Sequence, residues 1–102
     1  MKAIGILEVA ANVAAIEALD AMLKAADVRL VTVERALGGR LVSMIIEGTI
    51  SDVQEAIEHG KIAAAKLGKV AAAITINNPH EEVKKLVLQS ARKLNKQVIT
   101  SG

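Results

Sequence analysis

The stretch VRLVTVERALGGRLVSMIIEG, Val28 to Gly48, sets two apolar, β-branched runs on either side of a short turn holding two glycines and an arginine. VRLVTVE (Val28 to Glu34) and LVSMIIEG (Leu41 to Gly48) alternate as strands do, so Arg35 to Arg40 reads as the tip of a β-hairpin. The remaining chain arranges itself around that hairpin. AIGILEV (Ala3 to Val9) reads as a first strand, apolar on both sides, and NVAAIEALDAMLKAAD follows with Val13, Ile16, Leu19, Leu23 and Ala26 at helical spacing. That spacing predicts a helix whose inner face is this stripe, with Asn12 as its N-cap.

After the hairpin, TISDVQEAIEHGKIAAAKLG restarts a helix. Ser51 is the expected cap, with Gln54 as its capping-box partner and Val53, Ile57 and Ala64 facing inward. Gly68 stops it, and KVAAAITI (Lys69 to Ile76) is the fourth strand. Pro79 breaks the chain. HEEVKKLVLQSARKLNK then places Val83, Leu86, Val87 and Leu94 on one stripe of a third helix, with acids early and Arg92, Lys93 and Lys96 late, as the helix dipole favours. The expected fold is therefore α+β: a ferredoxin-like β-α-β-β-α-β order, a four-stranded antiparallel sheet with two helices on one face, and an added C-terminal helix.

Composition bounds what such a chain does. At 102 residues it is expected to form one domain. Hydrophobic residues make up 52% of it and aromatics 0%, so its core is built from Ala, Val, Ile, Leu and Met, which bury less area each than Phe or Trp. A small aliphatic core favours completing burial against further copies of the chain. Thirteen Lys and Arg against eleven Asp and Glu leave no polyanion-binding footprint, and without aromatic rings no base can stack. Nucleic acid is thus not an expected partner. The absence of cysteine removes thiolate metal sites and thiol nucleophiles and fits a reducing cytosol. Glu8 interrupts the first apolar run and no window is long enough to span a bilayer, so a soluble chain without a membrane role is expected.

Chemistry-bearing constellations are scarce. His59 and His80 read as isolated, without a second metal ligand at helical spacing, and no metal site or cofactor is expected. Glu81 and Glu82 are the adjacent carboxylates, and they sit where a helix start wants acids. Ser43, Ser51 and Ser90 stand in no nucleophile elbow, and Gly38-Gly39 leads into a strand, where a phosphate loop would lead into a helix. The expectation is a protein that is not an enzyme.

AIGILEV, AIEALDAMLKAADVRLV, the glycine turn, IIEGTISDV, AIEHGKIAAAKLGKV and INNPHEEV follow one another in an order and spacing that resembles the hexamer-forming shell proteins of bacterial microcompartments, the single-BMC-domain family. The resemblance runs from Ala3 to about Leu86. It implies a BMC domain over residues 1–88 with a C-terminal helical extension over 89–102. It also implies a cytoplasmic microcompartment shell, in which flat homohexamers pack edge to edge beside other shell proteins and around encapsulated enzymes.

The same resemblance implies roles for particular residues. Lys24 falls on the family's edge lysine, which reaches toward the neighbouring hexamer. Asn78, Pro79 and His80 fall on an edge motif whose first position is commonly arginine, so Asn78 departs from it. Leu37, Gly38, Gly39 and Arg40 fall on the turn that lines the axial pore. Glycine backbone and a ring of Arg40 there would favour small polar or anionic metabolites. The turn is one residue longer than in many relatives. Anchored on Glu34, Gly38 takes the family's serine position; anchored on Gly48, Gly39 takes it and Arg40 falls on a glycine. The contrasting expectation is a small ferredoxin-like regulator, a dimer or trimer that binds a metabolite in an inter-subunit cleft through Arg35 or Arg40.

Overall fold

Residues 2–35 and 40–77 are described in a computed structural model. The elements run β1 (Ala3–Ala10), α1 (Asn12–Ala25), β2 (Arg29–Arg35), β3 (Leu41–Gly48), α2 (Ile50–Ala65) and β4 (Lys69–Ile76). All four strands join one sheet of order β2-β3-β1-β4, and every pairing is antiparallel. This is the ferredoxin-like plan expected from the element order. The expected third helix and the 89–102 extension lie outside the described residues.

Period-two alternation sorts the central strands onto two faces. Ala3, Leu7 and Val9 of β1 and Val42, Met44 and Ile46 of β3 join a core with residues of α1 and α2. Ile4, Ile6 and Ile45 point the other way and form a second buried cluster with Ile76 against it, made of strand residues alone. Both central strands are thus buried on both faces, in agreement with their near-continuous apolar sequence.

The hairpin register carries a shift that alternation does not reveal. Arg35 pairs with Val42 and Thr32 with Ile45, but Leu30 pairs with Ile46, so Val31 is the extra residue of a bulge on the outer strand. Leu30 and Val33 consequently reach the helix side together. The shift also brings Arg29 opposite Glu47, where an unbroken register would have put Gly48.

The expected inner face of α1 is corrected. Ala14, Ala15, Ala18 and Met22 face the core, while Val13 and Ile16 are each 62% exposed and Leu23 is 45% exposed. Leu19 and Ala26 of the expected stripe touch the core from its margin. The physical reason is the closeness of the two helices. A Cβ on Gly60 would lie 2.7 Å from Met22 Cγ and 2.9 Å from Leu7 Cδ2, so the missing side chain of α2 makes room for Met22, and the other buried positions of α1 are the small Ala14, Ala15 and Ala18. The inner face of α2 is as expected, with Val53, Ile57 and Ala64 buried.

Both helix starts also differ from expectation. The cap of α2 is Thr49, two residues before Ser51: its hydroxyl accepts from the Asp52 N–H at 3.2 Å and donates to the Asp52 carboxylate at 2.9 Å. Asn12 is already the first residue of α1, and the residue before it, Ala11, makes no side-chain cap. Ala11 instead turns the chain with φ 151°, a region that disfavours side chains.

Candidate functional site

The sheet has two ends, and the sequence-derived site residues divide between them. At the hairpin end, Arg35 closes β2 and Arg40 enters β3, both exposed. Ala10 pairs with Leu41 on one side and Lys69 on the other, so Lys69 stands at this same end, where α1 also begins. Three cationic side chains therefore share it with the start of α1 and the end of α2; the two helix dipoles oppose each other there, and it is the cations that favour anions. Leu37, Gly38 and Gly39 lie outside the described residues.

Lys24 sits at the opposite end, in the last turn of α1. Ile76, two residues before Asn78, pairs with Ile4 and so stands at that end too. Asn78, Pro79 and His80 themselves lie outside the described residues. The Lys24 ammonium is 2.9 Å from the Asp20 carboxylate one helical turn back, on an exposed surface. A hydrogen bond from Lys24 to Asp20, reinforced by the charge of that carboxylate, raises the Lys24 pKa above its usual value.

A further cluster at this end went unread in the sequence. Glu47, only 7% exposed, accepts hydrogen bonds from Arg29 and from Lys2, the latter at 3.3 Å. Burial pushes the Glu47 carboxyl up, but the hydrogen bonds and charges of Arg29 and Lys2 outweigh it, and the net shift is downward. The cluster locks the starts of β1 and β2 to the end of β3. It depends on the bulge at Val31, for which the residue pattern offers no signal.

His59 is not isolated as expected. Its Nε2 lies 3.8 Å from Glu55 Oε1, one turn back on α2. The pair remains two groups: among the described residues no three His, Cys, Asp or Glu come together as a metal would need. No described helix is long and apolar enough to cross a membrane.

An apolar concavity lies on the flank between α1 and β2. It is an open groove of about 480 Å³ lined by Ala15, Ile16, Leu19, Val33, Val42 and Met44, with Arg35 on its rim. Val13 and Leu23 continue the exposed aliphatic row along α1, and Val31 stands on the bulged edge strand. The α2 and β4 half of the molecule has its own exposed aliphatics, Ile62, Leu67 and Ile74. In the sequence Val13, Ile16 and Leu23 passed for core. The sign that they are not is the alanine stripe running beside them on α1.

Such a chain has two separate apolar flanks and a cationic end on a slab of 39 × 33 × 15 Å. Its sequence matches the BMC domain over residues 3–79. The chain belongs to the BMC-domain family of microcompartment shell proteins. It is 41% identical over 86 residues to the bacterial microcompartment shell protein PduA of Citrobacter freundii, covering 84% of this chain and 91% of that protein. It is 36% identical over 86 residues to the shell protein EutM of Escherichia coli K12, covering 84% and 88%. Among solved structures it resembles a microcompartment protein from Desulfitobacterium hafniense, with a TM-score of 0.72 at 34% identity over 79% of this chain. That shared part is 43% of the Desulfitobacterium chain. Lys24 and the hairpin tip fall inside the span matched to the BMC domain, as do Asn78 and Pro79; His80 falls one residue beyond it.

Proposed function

We propose that this BMC-domain chain is a structural shell tile without catalytic activity, one that closes into a cyclic homohexamer and packs edge to edge with other shell proteins of a bacterial microcompartment in the cytoplasm. The carrying observation is the pair of apolar flanks. Ile16, Val33 and the groove lie on the α1/β2 side, while Ile62 and Leu67 lie on the α2 side. Two different sticky surfaces on one slab favour a head-to-tail contact, and head-to-tail contacts form a ring when their rotation closes and a filament when it does not. Such a contact covers in the assembly what the protomer exposes in isolation.

In this arrangement the hairpin tip, Leu37 to Arg40, converges on the axis and lines a pore. Arg35, Arg40 and Lys69 at that end support passage of small polar or anionic metabolites, with encapsulated enzymes supplying and consuming them. Lys24 stands at the far end and therefore on the outer rim, where with Asn78, Pro79 and His80 it forms the seam to the next hexamer. Each seam contact is weak and exposed, and repetition along the edge supplies avidity.

A regulatory reading keeps one observation in its favour, the Arg35-rimmed groove, which has the apolar body and cationic rim of an amphipathic-anion site. Native mass measurement with negative-stain microscopy separates the two. A tile is a hexamer that forms sheets or tubes as concentration rises, and its Lys24→Ala variant keeps the hexamer while losing the sheets. A regulator remains a dimer or trimer, and loss of the hexamer itself in Lys24→Ala contradicts the edge role.

A further inference from the structure

The described lysines and arginines divide by whether an acid holds them. Lys2 and Arg29 share Glu47, Lys24 holds Asp20 and Lys61 holds Glu58. Arg35, Arg40, Lys66 and Lys69 are exposed and enter no ion pair or side-chain hydrogen bond among the described residues. All four stand at the hairpin end. Arg35 closes β2, Arg40 precedes β3, Lys69 opens β4 opposite Ala10, and Lys66 follows α2 just before that strand. The first turn of α1 and the last turn of α2, which end there too, carry no acid. Glu8 and Glu34 lie further along the sheet on either side of Ser43, and by alternation on the face turned away from the helices. Counting them, four cations still face two acids.

A lone protomer tolerates this. Arg35 and Lys69 sit on the two edge strands, three strand spacings or about 14 Å apart, which exceeds the screening length of about 8 Å in physiological salt. A ring with converging hairpin ends removes that separation. It sets the β2 edge of one copy, with Arg35, against the α2 and β4 side of the next, with Lys66 and Lys69, and repeats the juxtaposition at every boundary. Like charges kept apart within a protomer become neighbours between protomers, and their repulsion opposes the apolar contact that closes the ring.

We propose that ring closure is coupled to the binding of small oxyanions of charge two or more, held between Arg35 and Arg40 of one protomer and Lys66 and Lys69 of the next. The coupling rests on the ring proposed above and adds its regulation. An anion that relieves the repulsion favours the ring, and by linkage the ring binds that anion more tightly than a protomer does. Charge carries the recognition, so phosphate and carboxylate groups both serve, whereas a monovalent ion offsets less repulsion for each ion immobilised.

Sedimentation equilibrium of the full-length protein tests this, with interference optics because the chain has no aromatic ring. Sodium chloride, acetate, citrate and pyrophosphate are compared at equal ionic strength. The protein concentration at half-assembly should be about tenfold lower in citrate and in pyrophosphate than in chloride or acetate. The double variant Lys66→Gln/Lys69→Gln should lose this dependence and form rings in chloride as readily as the parent does in citrate. Lys61→Gln, which alters a cation already paired with Glu58, should keep the full response. Equal assembly in all four salts, or a multivalent-anion effect that survives in the double variant as general salting-out would, overturns the coupling and leaves the ring standing. Rings absent in every salt overturn the ring and the coupling with it.

Discussion

Glu47 shows how a single residue ties the hairpin to the sheet. Its carboxylate is nearly buried, and two cations, Arg29 of β2 and Lys2 just before β1, hold it ionised. Because the folded-state pKa is lowered, the stability it supplies is present above the ordinary carboxylate range and is lost as pH falls through the folded value. Glu47→Gln should cost about 1–2 kcal/mol at pH 7 and flatten the loss of stability on going to pH 4, because Gln has no proton to take up there. Denaturant unfolding at the two pH values measures this, and an unchanged pH slope contradicts it. Lys24 differs in kind. It is exposed, stays protonated beside Asp20, and is free to exchange that partner for acceptors across a seam at little cost.

Among the elements, α1 carries most of the account. Gly60 of α2 makes room for Met22, the alanines complete the buried face, and the larger aliphatics Val13, Ile16 and Leu23 stay exposed on the protomer. Ile16→Asp changes a residue 62% exposed in the protomer and should leave folding within about 0.5 kcal/mol, while weakening association enough to shift the particle toward monomers at equal concentration. Sizing chromatography alongside thermal unfolding checks both halves; an intact oligomer in this variant contradicts the flank assignment. Strands and helix positions were legible in the sequence, because alternation and helical spacing are local. The face of α1 was not, since Val13, Ile16 and Leu23 obey helical spacing whether they pack inside a protomer or between protomers. The Thr49 cap was missed for a different reason, because by residue type Ser51 is the better cap and only the position of the first turn selects Thr49. The bulge at Val31, and with it the Arg29 to Glu47 contact, depends on pairing across strands that a single chain pattern does not encode.

For the whole molecule, the directions matter more than any one contact. Arg35 and Arg40 stand at one end of a thin slab and Lys24 at the other, and the apolar flanks lie on its sides. In the proposed ring, six such slabs closed side to side would place the tip at the centre and Lys24 at the rim. The residues proposed for the centre rest on sequence blocks that resemble a family, whereas the flanks proposed to hold the ring together emerged only from the fold. The most direct test is a cryo-electron microscopy reconstruction of the assembled particle. The account predicts six-fold symmetry, with Arg40 ringed about the axis and the α1/β2 groove of each protomer filled by the α2 side of its neighbour. A particle whose hairpin tips point to the periphery, or whose grooves stand open, would contradict it.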